Sequence, residues 1–288
     1  MITTLFLLAT LSVAPNVDLI PGGFKPGSQP DGNTIVFRGS KGLIVVDTGR
    51  HADHTREIVD YAHAAKLPVA AIINTHWHLD HIGGNAMLRR EFPAVRIYAS
   101  GALAGARKGF LANYHKQLEE MVAKTGGQSL KDEIALIDAG DALMPDVVID
   151  KSGKRDIAGR TFEIGLEKDS VTAGDLWIFD PKTRALVTGD LITVPVPFLD
   201  TACPQNWKAS LDRLSKLHFD VVVPGHGDVM HRAEFEIYRT AYANFLACTE
   251  NCVEGWMHDA APLLAKEDPK FVRMLTDYYA GLRTKPCK

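Results

Sequence analysis

Four side chains able to hold a metal ion fall within six positions of this chain. They are His76, His78, Asp80 and His81, in the run Thr75-His76-Trp77-His78-Leu79-Asp80-His81-Ile82-Gly83-Gly84-Asn85. In extended backbone, residues two apart point to the same side, so His76 and His78 face one way. Asp80 and His81 follow where the chain turns towards a helix, and Gly83-Gly84 permits a close approach of backbone. Imidazole and carboxylate are donors that zinc takes when one position must stay open for water. Burying three imidazoles and a carboxylate with no metal would be costly. The chemistry expected of this string is therefore that of a metal centre. No Gly-x-Ser-x-Gly string offers a serine nucleophile instead.

The surrounding pattern supplies elements to position these groups. An apolar run at 69–73 reads as a buried strand leading straight into the string. Before it, 33–37 and 42–46 read as strands around a Gly-containing turn, and 54–66 as a helix with Ile58, Tyr61 and Ala62 at helical spacing. A second half repeats the rhythm, with strands at 162–164, 176–179, 185–187 and 221–223 and a helix at 208–217. Residues 102–124 between the halves and 231–282 at the end read as helical, and 21–32 as a loop. Sheets covered by helices follow from such a mixture.

Composition narrows the class. With 46% apolar and 23% charged residues the chain is neither disordered nor fibrous. A net charge of −3 without a basic run argues against a dedicated nucleic-acid binder. No stretch reaches the roughly 18 apolar residues of a spanning helix, so stable membrane insertion is not expected. A small-molecule substrate is the partner expected, and the oligomeric state stays open. Residues 1–14 end in Ser12-Val13-Ala14 after an apolar run, the pattern of a signal peptide, which implies a periplasmic or secreted protein. Against it, no Lys or Arg precedes the run and Pro15 follows the cut; a first strand of the sheet is the alternative. Cys203, Cys248, Cys252 and Cys287 permit one or two disulfides, or four free thiols, but their spacing makes no four-thiolate zinc site.

Over residues 17–227 the chain resembles the metallo-β-lactamase superfamily of metallohydrolases. The H-x-H-x-D-H string is the most specific mark. Val46-Asp47-Thr48-Gly49, Thr188-Gly189-Asp190 and Pro224-Gly225-His226-Gly227 follow the family order around it. The resemblance implies an α/β fold, a four-layer αβ/βα sandwich, over 15–230. A helical insertion and a helical extension at 231–288, packed on the same domain, would complete it. It implies His76 and His78 on a first metal, Asp80, His81 and His226 on a second, and Asp190 bridging both, as in members resembling glyoxalase II. Asp80 is also expected at the catalytic centre, and Asp47 is expected to orient a ligand by hydrogen bonding. Two Zn2+ per chain are expected, with iron or manganese as alternatives. A hydroxide generated on the metals would attack an ester, thioester, lactone, phosphoester or β-lactam. Asp190 favours a branch other than the β-lactamases, which usually carry three His on the first metal and no bridging Asp.

In one place the pattern breaks. The family normally supplies a third His to the first metal, just before a Gly-Asp pair. Here that region is Glu167-Lys168-Asp169-Ser170-Val171-Thr172-Ala173-Gly174-Asp175, and no His lies between His115 and His218. Asp169 is the first candidate for the missing ligand. Val171 in that position would leave a gap for water, and His115 could reach in from the helical insertion. An Asp ligand would harden the site and neutralise part of the metal charge. Val171 would leave a 2-His-1-carboxylate set, also used by non-haem iron. Hence the competing readings are a mononuclear iron oxidoreductase acting on sulfur compounds, and a metal-binding member with weakened catalysis. Trp77, Leu79, Phe198 and Trp207 are candidate pocket residues, though core or loop packing is the role expected of the last two, because aromatics mostly serve burial. Asp175 and the histidines outside the motifs are expected to be structural or solvent-facing.

Overall fold

The structure, a computed structural model, describes residues 10–24 and 29–287. Seven strands form one sheet in chain order: β1 (Leu11–Ala14), β2 (Val17–Ile20), β3 (Thr34–Gly39), β4 (Gly42–Val46), β5 (Val69–Ile73), β6 (Arg96–Ser100) and β7 (Val147–Ile149). Pairing is antiparallel from β1 to β4 and parallel from β4 to β7. The second sheet comprises β8 (Gly153–Ile157), β9 (Arg160–Glu167), β10 (Asp175–Asp180), β11 (Ala185–Thr193) and β12 (Val221–His226). Its strands follow one another in space, antiparallel except for the parallel pair β11–β12.

Alternation along the strands divides their side chains between two faces. Phe37, Ile44, Val46 and Ile73 meet Phe162, Ile164, Leu176, Ile178 and Val187 between the sheets. Their neighbours Val36, Leu43, Val45 and Ile72 point the other way. They are covered by α1 (Ala52–Ala65) and, beyond the single turn α2 (Leu79–Ile82), by α3 (Asn85–Glu91), through Ile58, Tyr61, Ala62 and Leu88. The insertion forms α4 (Ala102–Lys108), α5 (Phe110–Thr125) and α6 (Gln128–Asp138), whose Leu103 and Leu111 pack with Trp77, Leu79 and Ile82. On the far side, α7 (Pro204–Leu214), α8 (Arg232–Ala247), α9 (Cys252–Asp259) and α10 (Pro269–Ala280) cover the second sheet. Trp207, Tyr238, Tyr242, Trp256 and Tyr279 fill that layer. The expected four-layer sandwich is present, and the C-terminal extension is part of its outer layer.

Several elements differ from the sequence reading. Helix α7 begins earlier than expected, with Pro204 in its first turn, where a missing N–H is harmless. Short strands β2, β6, β7 and β8 were not legible. Residues 11–14, read as the end of a leader, are an edge strand hydrogen-bonded to β2; residues 1–9 of that reading lie outside the described residues. The cysteines form two disulfides, Cys203–Cys287 and Cys248–Cys252, which removes the alternative of four free thiols. Among the described residues no helix is long and apolar enough to cross a membrane.

Candidate metal centre

The chemistry-bearing residues collect at one edge of the sandwich, where β4, β5 and β12 end. β5 delivers Thr75 and His76, and α2 begins within the string, so Asp80 and His81 lie on its one turn. Asp190 sits in β11, where the ladder to β12 slips on either side of Gly189. Gly189 is left-handed (φ 51°), and a side chain there would strike Thr75 Oγ1. A Cβ on Gly225 would meet Asp190 Oδ1 at 2.1 Å, so the Pro-Gly-His turn clears room for the carboxylate.

Asp190 faces two sets of donors. Its Oδ2 lies 3.6 Å from His76 Nε2 and 3.9 Å from His78 Nδ1. Its Oδ1 lies 3.2 Å from His81 Nε2 and 3.5 Å from His226 Nε2. Asp80 Oδ2 joins the second set, 3.1 Å from His226 Nε2. In each set, His76–His78–Asp190 and Asp80–His81–His226, the donor atoms lie within 4.8 Å of one another. Buried polar atoms normally find a partner. Yet His76 Nε2, His81 Nε2, His226 Nε2 and both oxygens of Asp190 are buried without a hydrogen bond. Four orphaned groups aimed at shared points fit divalent cations there.

Backbone and side chains behind the donors orient them. Asp47 is buried with a left-handed backbone (φ 59°). Its Oδ1 accepts the Thr75 N–H at 2.8 Å, and its Oδ2 accepts from Thr75 Oγ1 and His81 Nδ1, both at 2.7 Å. With its proton given to Asp47, Thr75 Oγ1 is left to accept from His76 Nδ1 at 3.0 Å. Both rings thus commit Nδ1–H to these bonds and turn Nε2, the nitrogen a metal would take, towards Asp190. His78 is held the opposite way round: Thr201 Oγ1 lies 3.0 Å from its Nε2 and donates to the Val171 carbonyl. The arrangement leaves His78 Nδ1 for the metal position.

The electrostatics are those of a coupled cluster. Burial alone would raise Asp190, but His81, His226 and His76 hold it well below the usual carboxylate range. Burial would likewise raise Asp80, and His81, His226 and Arg50 outweigh it. His81 is penalised by burial, yet Asp190, Asp47 and Asp80 hold it well above the ordinary histidine value. His78 is lowered by burial and by His76. Asp175 is pushed up to about 7 by burial, against the hydrogen bonds from the Thr172 backbone and hydroxyl.

The structure corrects the reading of the break. Asp169 belongs to neither donor set. β9 ends at Glu167, and a left-handed Asp169 (φ 50°) leaves its own side chain exposed while Ser170, Val171 and Thr172 turn into the core. Val171 is a fully buried apolar residue, and His115 on α5 pairs with Asp138 and Glu119 of the insertion instead. Among the described residues no further His, Cys, Asp or Glu joins His76, His78 and Asp190.

Above the donors opens a cavity of about 460 Å³, floored by His78, Asp80 and Asp190. Its walls are Trp77 and Leu79, Phe110 and Tyr114 of α5, Phe198, Phe24, and Phe271, Leu275 and Tyr279 of α10. Trp77 and Leu79 thus line a pocket as anticipated; Phe198 lines it too, contrary to the packing role expected of it, whereas Trp207 is core as expected, its indole N–H donating to the Leu191 carbonyl. The sequence reading missed Thr75, Thr201 and Arg50. Thr75 and Arg50 adjoin the motifs and were open to notice; Thr201 meets His78 across 123 positions and had no local signal.

The family model of the metallo-beta-lactamase superfamily matches residues 28–226, and the chain belongs to that superfamily. Among curated relatives, the linear primary-alkylsulfatase of Pseudomonas sp. (strain ATCC 19151) is 29% identical over 248 residues, 76% of this chain and 46% of the relative. The metallo-beta-lactamase type 2 of Bacillus cereus is 22% identical over 213 residues, 73% of this chain and 72% of that one. The solved metallo-beta-lactamase from Pontibacter korlensis superposes with a TM-score of 0.60 at 20% identity, covering 82% of this chain and 98% of that chain, which shows a shared fold. The chain spans about half the length of the alkylsulfatase it matches.

Proposed function

We propose that this chain is a metal-dependent hydrolase of an ester that carries an apolar arm. The observation that carries the reading is the cluster of buried, unpartnered donor atoms around Asp190, which itself lines, with His78 and Asp80, a cavity walled largely by aromatic and aliphatic side chains. His76, His78 and Asp190 would hold one ion, and Asp80, His81, His226 and Asp190 the other. Divalent ions there, zinc first, would supply Lewis acidity and lower the pKa of a coordinated water to about 7. The first set has three donors and the second four, so an ion in the first would be the more loosely held of the two. The chain's own contribution is to fix lone-pair directions through Asp47, Thr75 and Thr201, and to exclude water from the apolar arm of the substrate.

Two observations favour an ester with an apolar arm over a β-lactam. Aromatic and aliphatic residues together make up most of the lining, the usual character of a site for apolar groups. The cation in it, Arg50, is already engaged by Glu133 and Asp80, which leaves it little capacity to take a substrate carboxylate. The alkylsulfatase relative adds sulfate esters of aliphatic alcohols to the candidates. Turnover of an alkyl sulfate, a carboxylic ester, a thioester, a lactone, a phosphodiester and a β-lactam, before and after chelation and with graded apolar arms, tests the reading. Loss of turnover on chelation and preference for longer arms are expected. Full activity in a metal-free preparation, or indifference to the arm, would refute it. The three-donor first set also favours a second reading, in which one tightly held ion suffices. Iron content with oxygen uptake would turn that reading towards the oxidoreductase. Export is also proposed, on disulfides that persist in oxidising compartments; recovery of the disulfide-bonded protein from periplasm or medium, rather than from cytoplasm, tests it.

A further inference from the structure

We infer that the helical insertion reaches into the metal centre through a buried relay, in which Glu133 holds Arg50 and Arg50 positions Asp80. This inference rests on the metal-binding reading of Asp80 given above. Helix α6 is largely exposed, and Glu133 is its buried residue. Both Glu133 oxygens accept from Arg50 Nη1 at 2.6 Å. Arg50 Nε donates to the Pro30 carbonyl at 3.2 Å, and Nη2 lies 3.5 Å from Asp80 Oδ1. The other oxygen of Asp80 is the one that faces His226 and His81.

The division of labour between the two Asp80 oxygens is the physical point. A carboxylate can turn about its Cβ–Cγ bond. A guanidinium engaging one oxygen fixes which lone pairs the other presents to a metal. Arg suits this task because its planar fork serves several acceptors in one fixed geometry. An uncompensated guanidinium beside the centre would, however, repel divalent cations and compete for Asp80 at low local dielectric. Glu133 removes that conflict by taking up the charge. A buried arginine between two carboxylates also avoids the penalty of an unpaired buried ion. Arg50 and Glu133 are therefore positioning residues acting through Asp80, and the insertion is a component of the site rather than a surface decoration.

A purely structural role, pinning the insertion to the domain, predicts something different. Arg89 is such a pin: its Nε donates to Ala142 O at 3.1 Å and its Nη2 to Met144 O at 2.7 Å, at the end of the same insertion and away from the donors. The experiment compares Glu133→Gln, the charge-balanced pair Arg50→Gln with Glu133→Gln, and Arg89→Gln, in the full chain loaded with Co2+. Readouts are affinity by chelator competition, the visible Co2+ spectrum, and thermal unfolding of the metal-free forms. Glu133→Gln and the balanced pair should weaken the ion at Asp80, His81 and His226 about 10-fold and shift its absorption bands. Arg89→Gln should lower the unfolding temperature while leaving affinity and spectrum as in the wild type. If Glu133→Gln does not fold, Arg50→Lys keeps the charge, loses the fork and carries the same expectation. Variants that bind Co2+ like the wild type, or an equal loss in Arg89→Gln, would overturn the inference alone. A wild-type chain that binds no Co2+ would defeat the metal reading as well.

Discussion

Replacing Asp47 by Asn changes one oxygen to an NH2 and should disable both donor sets at once. Asp47 receives three hydrogen bonds, from Thr75 N, Thr75 Oγ1 and His81 Nδ1, at 2.7 to 2.8 Å. An amide offers one acceptor end. If the NH2 takes the Oδ1 place, it confronts the buried Thr75 N–H, which has no second conformation. If it takes the Oδ2 place, it confronts His81 Nδ1–H and Thr75 Oγ1–H. His81 can relieve that clash by moving its proton to Nε2, but Nε2 is the atom facing Asp190 and Asp80. Thr75 can relieve it by turning its hydroxyl, which abandons the bond that fixes His76. Every escape costs a buried unsatisfied donor, about 1–3 kcal/mol, or a ligand in the wrong tautomer. The expected loss of metal affinity is about 10–100-fold, equivalent to about 1.4–2.7 kcal/mol. Chelator competition on the loaded protein measures it for each ion. Affinities equal to wild type for both ions would show that Asp47 does not set these tautomers, and the argument from hydrogen-bond direction would be wrong.

Removing the metal should lower the unfolding temperature by about 10 °C, since saturation at about 1,000 Kd contributes about 4 kcal/mol and each kcal/mol moves a chain of this size by about 2–4 °C. A chelated sample that melts like the loaded one would count against metal at this site. Metal affinity should rise with pH through neutrality, by up to about tenfold per unit for each displaced proton. The reason is that His81 in the metal-free chain is held protonated well above its ordinary value. The same shift gives the metal-free chain stability that is complete below the unfolded histidine value and lost as pH rises through the raised one. A flat affinity profile across neutrality would refute the assignment of that proton. Cys287→Ser should cost about 4.5 kcal/mol, since the Cys203–Cys287 bond closes a sequence separation of 84. Because that bond anchors the end of the chain beyond α10, whose Phe271, Leu275 and Tyr279 wall the cavity, KM for substrates with long apolar arms should rise more than kcat falls. Unaltered denaturant midpoints and KM would separate the tail from substrate binding.

The sequence alone carried the donor string, its order relative to Asp47, Asp190 and His226, and the apolar runs of several strands. These are local properties: a ligand two residues from another, or an acid at the end of an apolar run, needs no knowledge of the rest of the chain. It also showed that a third imidazole is missing, because histidines can be counted. What fills that place was beyond local reading. Asp169 has the right chemistry, but a left-handed turn after β9 leaves it exposed while Val171 turns into the core. Edge strands such as β7 are too short to show a period. The Cys203–Cys287 pairing, the aromatic wall from α10 and the Glu133–Arg50–Asp80 relay join residues tens of positions apart. Such contacts are set by how layers pack and where an insertion lands. Residue type and spacing can name the groups able to bind a cation, but only packing in three dimensions decides which of them share it and what holds them still.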